Sequence, residues 1–369
     1  MKVALVHDYL VQDGGAERVL LALHELFPNA PIFTLFHDKT TTHPGLAGAD
    51  IRPSTLNKKP FAPRHYQWYL PLMPQAIETL DLSEFNLVIS NSSSFGKGVI
   101  ASPHALHIGY CHTPTRFLWQ ERIGYVNDLP QPKLVKWLLP HFLHRLRQWD
   151  RLAAERPDIL LTNSQISRSR IKRYYQRDAH VIYPPVDVEK IPLSTQPGEA
   201  WLSGGRLVAY KRFDLIVRAF AKLNLPLIVF GDGPELPRLK LLAGPRTTFV
   251  GRVDEATKLN LYQRCHAFIH PQVEDFGITA VEAMAAGKPV IAYKQGGAKE
   301  TVIHGQTGIH LEVQCWEDIA ETVRRFDEYT FDPAVIRAHA EQFSHQRFLQ
   351  EMRVFIDDAC KTHGLCTVS

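Results

Sequence analysis

Tyr183-Pro-Pro-Val-Asp187 divides the chain in two. Paired prolines end regular structure and lack the amide hydrogens that a central strand needs, and one pattern is written out on each side of them. Before them come short apolar runs with helical stretches between: Val3 to Val6 and then Glu17 to Leu26, Leu87 to Ser90, Ala105 to Tyr110, Ile159 to Thr162 and then Ser167 to Tyr175, and His180 to Tyr183. After a linker reaching Pro197 the pattern restarts with Glu199 to Ser203, Leu227 to Phe230, Thr248 to Val250, Ala267 to His270, Pro289 to Tyr293 and Gly308 to Leu311. Helices such as Phe213 to Lys222 and Ile278 to Ala286 separate these runs. Such alternation predicts parallel sheets with crossover helices. The expected fold class is α/β, with two doubly wound parallel-sheet domains over residues 1–187 and 188–344. Residues 345–369 are expected to form a C-terminal helix packing back on the first domain, because Phe348, Met352, Phe355 and Ile356 need a surface.

Composition agrees with this reading. A chain of 369 residues exceeds one compact core, and 45% apolar with 22% charged residues is the balance of a soluble globular protein. The net charge of +4 makes no case for nucleic acid. Its basic excess is concentrated between Lys133 and Asp178, where 11 Lys and Arg face 4 Asp and Glu. This suggests an anionic partner, such as a membrane surface or a phosphate, or simply a solvated helix face. Lys133, Lys136, His141, Arg145 and Arg147 interleave with Trp137, Leu138, Phe142, Leu146 and Trp149, a composition suited to a helix lying in a membrane interface. Packing of Lys133 to Trp149 against the protein is the alternative. Five cysteines, an odd number without C-x-x-C spacing, argue against a disulfide framework or a metal site and fit a reducing cytoplasm. The opening run is too short for a signal peptide, and no run reaches the roughly 18 apolar residues of a membrane span. The expected location is the cytoplasm, with peripheral contact at the inner face of the cell membrane.

In open parallel sheets, ligands bind beyond the carboxyl ends of the strands. Four segments lie there. Asp13-Gly14-Gly15-Ala16-Glu17-Arg18 follows the first run and opens a helix, where free amides and the helix dipole attract an anion; it lacks the glycine fingerprint of a NAD-linked oxidoreductase. Tyr110-Cys-His112-Thr-Pro-Thr-Arg116 aims an imidazole outward from a strand end, within reach of a substrate hydroxyl. Ser203-Gly-Gly-Arg206 and Lys211 offer a planar fork and a point charge, a match for a diphosphate leaving group. Glu274-Asp-Phe-Gly-Ile-Thr-Ala-Val-Glu282 holds two carboxylates around a turn, with the amides of Gly277 to Thr279 at a helix start. Eight helical residues would keep those carboxylates roughly 12 Å apart, too far for a glycosidase pair. They are read instead as separate ligand contacts, Glu282 to a ribose diol. A purely structural Glu282 on the buried side of an alanine-rich helix would be costly.

Gly14-Gly15, His112-Thr113-Pro114, Arg206 with Lys211, and the Glu274 to Glu282 element together resemble the retaining glycosyltransferases of family 4, which have the GT-B fold. The resemblance also covers Gly231-Asp-Gly-Pro-Glu235, Phe249-Val-Gly-Arg252 and Gly296-Gly297. It implies two Rossmann-like domains facing a central cleft, an acceptor-binding first domain and a nucleotide-sugar-binding second one. It gives Arg206 and Lys211 the donor diphosphate, Glu282 the ribose, and Glu274 with the amides of Phe276, Gly277 and Ile278 the transferred sugar, with Thr279 beside them. His112 would meet sugar hydroxyls near the reacting carbon, Val250, Gly251 and Arg252 the base, and Gly15, next to Gly14, the phosphates. No cofactor and no metal are implied. The His-Asp-Tyr start, His112-Thr-Pro-Thr-Arg-Phe-Leu-Trp119 and Gly296-Gly-Ala-Lys-Glu300 look most like bacterial enzymes that move mannose from GDP-mannose to a saccharide or lipid-linked saccharide acceptor in surface polysaccharide synthesis. A UDP-hexose donor and a sugar-nucleotide epimerase of the same fold stand as alternatives.

Overall fold

The computed structural model describes residues 1–120 and 133–365, residues 133–138 by their backbone alone. Two units result. The first holds Met1–Pro185 together with the chain from Phe348 onward, and the second holds Val186–Arg347.

In the first unit seven strands, β1 (Val3–His7), β2 (Ile32–Thr34), β3 (Ile51–Pro53), β4 (Leu87–Ser92), β5 (Leu106–Cys111), β6 (Ile159–Thr162) and β7 (His180–Val181), form a sheet in the order β3-β2-β1-β4-β5-β6-β7. All pairings are parallel. β4 and β5 are buried along their whole length, as strands covered by helices on both faces must be. β2 and β3, three residues each, extend the sheet beyond the strands expected from the apolar runs. β7 stops two residues short of the expected Tyr183: Ile182 still donates to the Thr162 carbonyl, but Pro184 and Pro185 have no N–H with which to continue.

The second unit repeats the plan with β8 (Ala200–Gly204), β9 (Leu227–Phe230), β10 (Thr247–Gly251), β11 (Cys265–His270), β12 (Val290–Tyr293) and β13 (Gly308–Leu311), all parallel, in the order β10-β9-β8-β11-β12-β13. The helix Phe213–Leu223 buries Phe213, Ile216, Val217 and Phe220 against Ile319, Ala320 and Val323 of the helix Trp316–Arg324. In each sheet the strand order reverses once, at β1/β4 and at β8/β11. The carboxyl ends flanking those reversals are where a ligand site forms in such sheets.

The helix Lys133–Ala153 bears on the two readings of Lys133 to Trp149. The side chains of Lys133, Lys136, Trp137 and Leu138 lie outside the described residues. Among the rest, Leu146 is buried, and Phe142 and Trp149 pack on the same core. Trp149 Nε1 also donates to Glu78 at 2.7 Å, and Arg147 Nε to the Leu118 carbonyl at 2.8 Å. Leu139, Phe142, Leu143, Leu146 and Trp149 therefore face the protein, not a lipid surface. Arg156, Arg151 and Arg168 are paired with Glu78, Glu155 and Asp178, so part of the local basic excess is neutralised at home. No described helix is long and apolar enough to cross a membrane.

The last helix, His345–Thr362, places Phe348, Met352 and Ile356 in one core with Leu5, Leu20, Ile108 and Tyr110 of the first unit. Their spacing of four keeps them on one face. Burying each such side chain stabilises by about 1.5–3 kcal/mol, so the helix is an integral part of that unit. Phe348→Ala is expected to destabilise the first unit by about 3–5 kcal/mol, measured by denaturant unfolding followed through its tryptophans. A loss under about 1 kcal/mol would contradict the packing.

Candidate functional site

At the end of β8 the chain turns through Gly204 and Gly205 to Arg206, whose side chain is exposed. A short 3-10 turn, Ala209–Lys211, then brings Lys211 back, and its Nζ lies 2.8 Å from Glu274 Oε1. Glu274 follows β11, so this ion pair joins the strand ends on both sides of the β8/β11 reversal. Both side chains keep some exposure, 13% for Lys211 and 18% for Glu274.

Two glycines shape the Glu274 loop. Gly277 has φ +92°, and a Cβ there would stand 3.1 Å from His270 Nε2. It precedes the helix Ile278–Ala285, whose first amides have no partner within the helix. At Gly297 a Cβ would come 2.4 Å from the Phe276 Cα, and the Gly297 amide donates to the Glu274 carbonyl at 2.8 Å. Gly296-Gly297 is thus the floor on which Glu274 to Phe276 rest.

Beneath the turn lies His270, fully buried at the end of β11. Its Nδ1 shares a 2.9 Å hydrogen bond with Gln272 Nε2, while His270 Nε2, Gln272 Oε1 and Thr279 Oγ1 have no partner among the described residues. Burial pushes the imidazole down to about 4, Lys211 adds to this, and Glu274 opposes it. His270 is therefore neutral at physiological pH. Val250, Gly251 and Arg252 sit at the end of edge strand β10, where the Gly231 amide bonds the Gly251 carbonyl at 2.6 Å, drawing the ends of β9 and β10 together.

Glu282 requires a correction. Only Ile278–Ala285 is helical, so Glu274 and Glu282 lie on separate elements, and the helical spacing used to hold them apart does not apply. Nor does burial of Glu282 by itself demand a ligand. Its Oε2 accepts from Tyr262 Oη at 2.9 Å and its Oε1 from Lys258 Nζ at 3.1 Å, which offsets the desolvation. Lys258 and Tyr262 project from the helix Glu255–Arg264, whose role no motif announced.

In the first unit, His112 directly follows β5 and is buried, and its Nε2 lies 2.6 Å from Asn91 Oδ1. Asn91 Nδ2 donates to the Ala16 carbonyl at 2.8 Å, so the amide oxygen must face His112. The network thereby assigns the proton to Nε2 of His112. Behind Asn91, His7 Nδ1 donates to the Asn91 carbonyl at 3.0 Å, and its Nε2 lies 3.5 Å from Glu17 Oε1. Burial lowers the His7 pKa, but the hydrogen bond and charge of Glu17 outweigh it and the net shift is upward. Glu17 sits in the first turn of the helix Gly15–Leu26, so a buried carboxylate already occupies part of the anion-attracting start behind Gly14 and Gly15. Asp8 accepts from Ser92 Oγ and from the amides of Ser93, Ser94, Phe95 and Gly96 at 2.6–2.9 Å. Asn91 was not singled out from sequence, while His7-Asp8 entered only within the His-Asp-Tyr start and Glu17 only within the Gly14-Gly15 segment, none with a role of its own.

Comparison with known proteins decides the family. Residues 13–190 match the model described as Glycosyltransferase Family 4, and residues 187–330 match Glycosyl transferases group 1. The chain belongs to the family 4 glycosyltransferases. The D-rhamnosyltransferase WbpZ of Pseudomonas aeruginosa is 31% identical over 48% of this chain and 49% of its own. The alpha-1,3/1,6-mannosyltransferase ALG2 of Candida glabrata is 25% identical over 83% of this chain and 79% of its own. Against several of its curated relatives the family member spans half of their length or less. A solved structure of Anabaena HepE with UDP and glucose superposes with a TM-score of 0.71 at 20% identity, covering 96% of this chain and 99% of that one. This likeness shows the GT-B fold, in accord with the two Rossmann-like sheets.

His270 sets a pH dependence. Its folded pKa, about 4, lies below the ordinary 6.5, so the unfolded chain takes up the proton first as pH falls. Its contribution is full above pH 6.5 and declines between 6.5 and 4, by about 3 kcal/mol in all. Unfolding measured across that window should show a shallower decline in His270→Gln than in the native protein. Identical slopes would remove the assignment of a neutral buried imidazole.

Proposed function

We propose that this family 4 member is a retaining hexosyltransferase that moves mannose from GDP-mannose to a saccharide or lipid-linked saccharide acceptor. The observation that carries the reading is the Lys211–Glu274 contact at the β8/β11 reversal, next to Arg206 and the open amides at Gly277 to Thr279. A cation, a carboxylate and a helix start are the groups that a diphosphate joined to a polyhydroxylated ring requires.

In this reading, Arg206 and Lys211 hold the diphosphate and neutralise the charge gathering on it as the bond from C1 to the phosphate oxygen breaks. Glu274 and the amides of Phe276 to Ile278 orient the sugar, with Thr279 alongside. Glu282, positioned by Lys258 and Tyr262, accepts from the ribose diol, and Val250 to Arg252 meet the base. From the first unit, His112 contacts the sugar and Gly14-Gly15 the phosphates. The acceptor oxygen bonds to C1 on the face the diphosphate leaves, and its proton passes to the departing phosphate oxygen. No protein nucleophile, metal or further cofactor takes part. The mannosyltransferase ALG2 supports the choice of sugar. The UDP and glucose bound by HepE keep a UDP-hexose donor as the second reading.

Glu274→Gln should lower kcat/KM about 10²–10³-fold with an unchanged circular dichroism spectrum, whereas unchanged transfer would remove the central assignment. Side-by-side assays with GDP-mannose and UDP-hexoses should show transfer from GDP-mannose. Turnover only with a UDP-sugar would overturn the mannose reading, and interconversion of the free nucleotide sugar without transfer would indicate an epimerase.

A further inference from the structure

The segment between β3 and β4 takes no part in either site. From Ile51 to Ile77 it contains Arg52, Lys58, Lys59 and Arg64 and no Asp or Glu. Arg52 is paired with Asp50 at 2.7 Å, while Lys58, Lys59 and Arg64 are exposed. Among them stand three large apolar side chains that the fold leaves outside: Phe61 is 67% exposed, Trp68 60% and Leu72 45%.

Their exposure is built into the fold. Leu56, Met73 and Ile77 are buried in the core beneath, and Tyr66, Tyr69 and Leu70 pack on it. The short helix Tyr66–Leu72 therefore turns one side inward and presents Trp68 and Leu72 on the other. Backbone bonds from His65 to the Phe61 carbonyl and from Trp68 to the His65 carbonyl fix the turn. On the outer side the His65 and Trp68 rings stack at 4.7 Å, and Phe61 meets Trp68 edge-on at 5.7 Å. Phe61 is held at φ +62°, a conformation that disfavours bulky residues, and burial of its ring does not offset that cost.

An outward aromatic cluster with three exposed cations in the same stretch of chain, and no carboxylate along it, fits an interface that is apolar just below a negatively charged surface. Tryptophan and phenylalanine settle at the boundary of headgroups and acyl chains, and lysine and arginine bind anionic headgroups. We propose that Lys58 to Leu72 form a docking face that seats the first unit on an anionic lipid bilayer. This face lies in a different segment from the helix Lys133–Ala153, whose Leu139, Phe142, Leu143, Leu146 and Trp149 pack on the core. It stands independently of the donor reading, because its test needs no turnover.

The full chain should float with vesicles made of equal parts phosphatidylcholine and phosphatidylglycerol, not with phosphatidylcholine alone, and should be released as salt rises. Phe61→Ser with Trp68→Ser should weaken that binding at least about tenfold. Lys58→Glu, Lys59→Glu and Arg64→Glu together should abolish both the binding and its salt dependence. All these positions are exposed, so unchanged unfolding midpoints are expected and separate lost binding from lost folding. Arg145→Glu with Lys172→Glu, exposed elsewhere in the basic region, should bind as the native chain does. The proposal is overturned if the native chain fails to float, if it floats equally with phosphatidylcholine alone, or if the triple Glu variant binds undiminished. Capture of a single-stranded oligonucleotide in preference to the anionic vesicles would also overturn it.

Discussion

The contact between Lys211 and Glu274 is the constraint around which the second unit is arranged. Lys211 leaves β8 and Glu274 leaves β11, neighbours in the sheet at the point where strand order reverses. For the two side chains to meet at 2.8 Å, the Glu274 loop must lie flat and the next helix must start at once. Gly297 permits the first by letting backbone pass against Phe276, and Gly277 the second by adopting a positive φ above His270. A histidine kept neutral by burial is compatible with that place, since a charged imidazole would oppose Lys211. The ion pair, two glycines and a buried ring thus form one device.

The first unit solves a different problem at the same place in its own sheet. Its strand ends carry His7, Asp8, Asn91 and His112, polar groups in a region from which water is largely excluded, and they satisfy one another. Asp8 is held below its ordinary range: burial pushes it up, but the charge of His7 and the amides of Gly96 and Ser93 outweigh that. Asn91 fixes the orientation of His112 because its own amide is spoken for by Ala16. Such a network positions a single imidazole with little rotational freedom, whereas the second unit presents separate charges on loops.

Much of the fold was legible because buried parallel strands are continuous apolar runs. β6, β9 and β13 coincide with the runs read from sequence, and the double proline ends β7. β2 and β3 escaped because Ile-Phe-Thr and Ile-Arg-Pro are too short to show a period; their sheet neighbours decide them. In the candidate site, motif spacing led to Lys211, Glu274 and His112. It did not show Asn91, Lys258 or Tyr262, which act across 21, 24 and 20 residues of sequence on partners in other elements. Amphipathic composition left the helix Lys133–Ala153 open between two surroundings, since a stripe that fits lipid also fits the core of its own protein. The exposed aromatic cluster escaped for the converse reason: without the fold, Trp68 is indistinguishable from its buried-side neighbour Tyr69.

Buried carboxylates illustrate why residue type and burial do not identify a ligand contact on their own. Asp150 receives bonds from Lys97, Thr115, Trp119 and Tyr175, all at 2.7–2.8 Å, and Asp8 is saturated by a hydroxyl and four amides. These hold structure, and replacing any donor with a ligand would leave the rest strained. Glu282 is intermediate, bonded by one lysine and one tyrosine but fully enclosed. Glu274 differs in kind. Its cation comes from a separate loop, and both partners remain reachable by solvent. Glu274 is thereby distinguished by its place, in an ion pair at the strand-order reversal that keeps contact with solvent, where Asp8, Asp150 and Glu282 are enclosed.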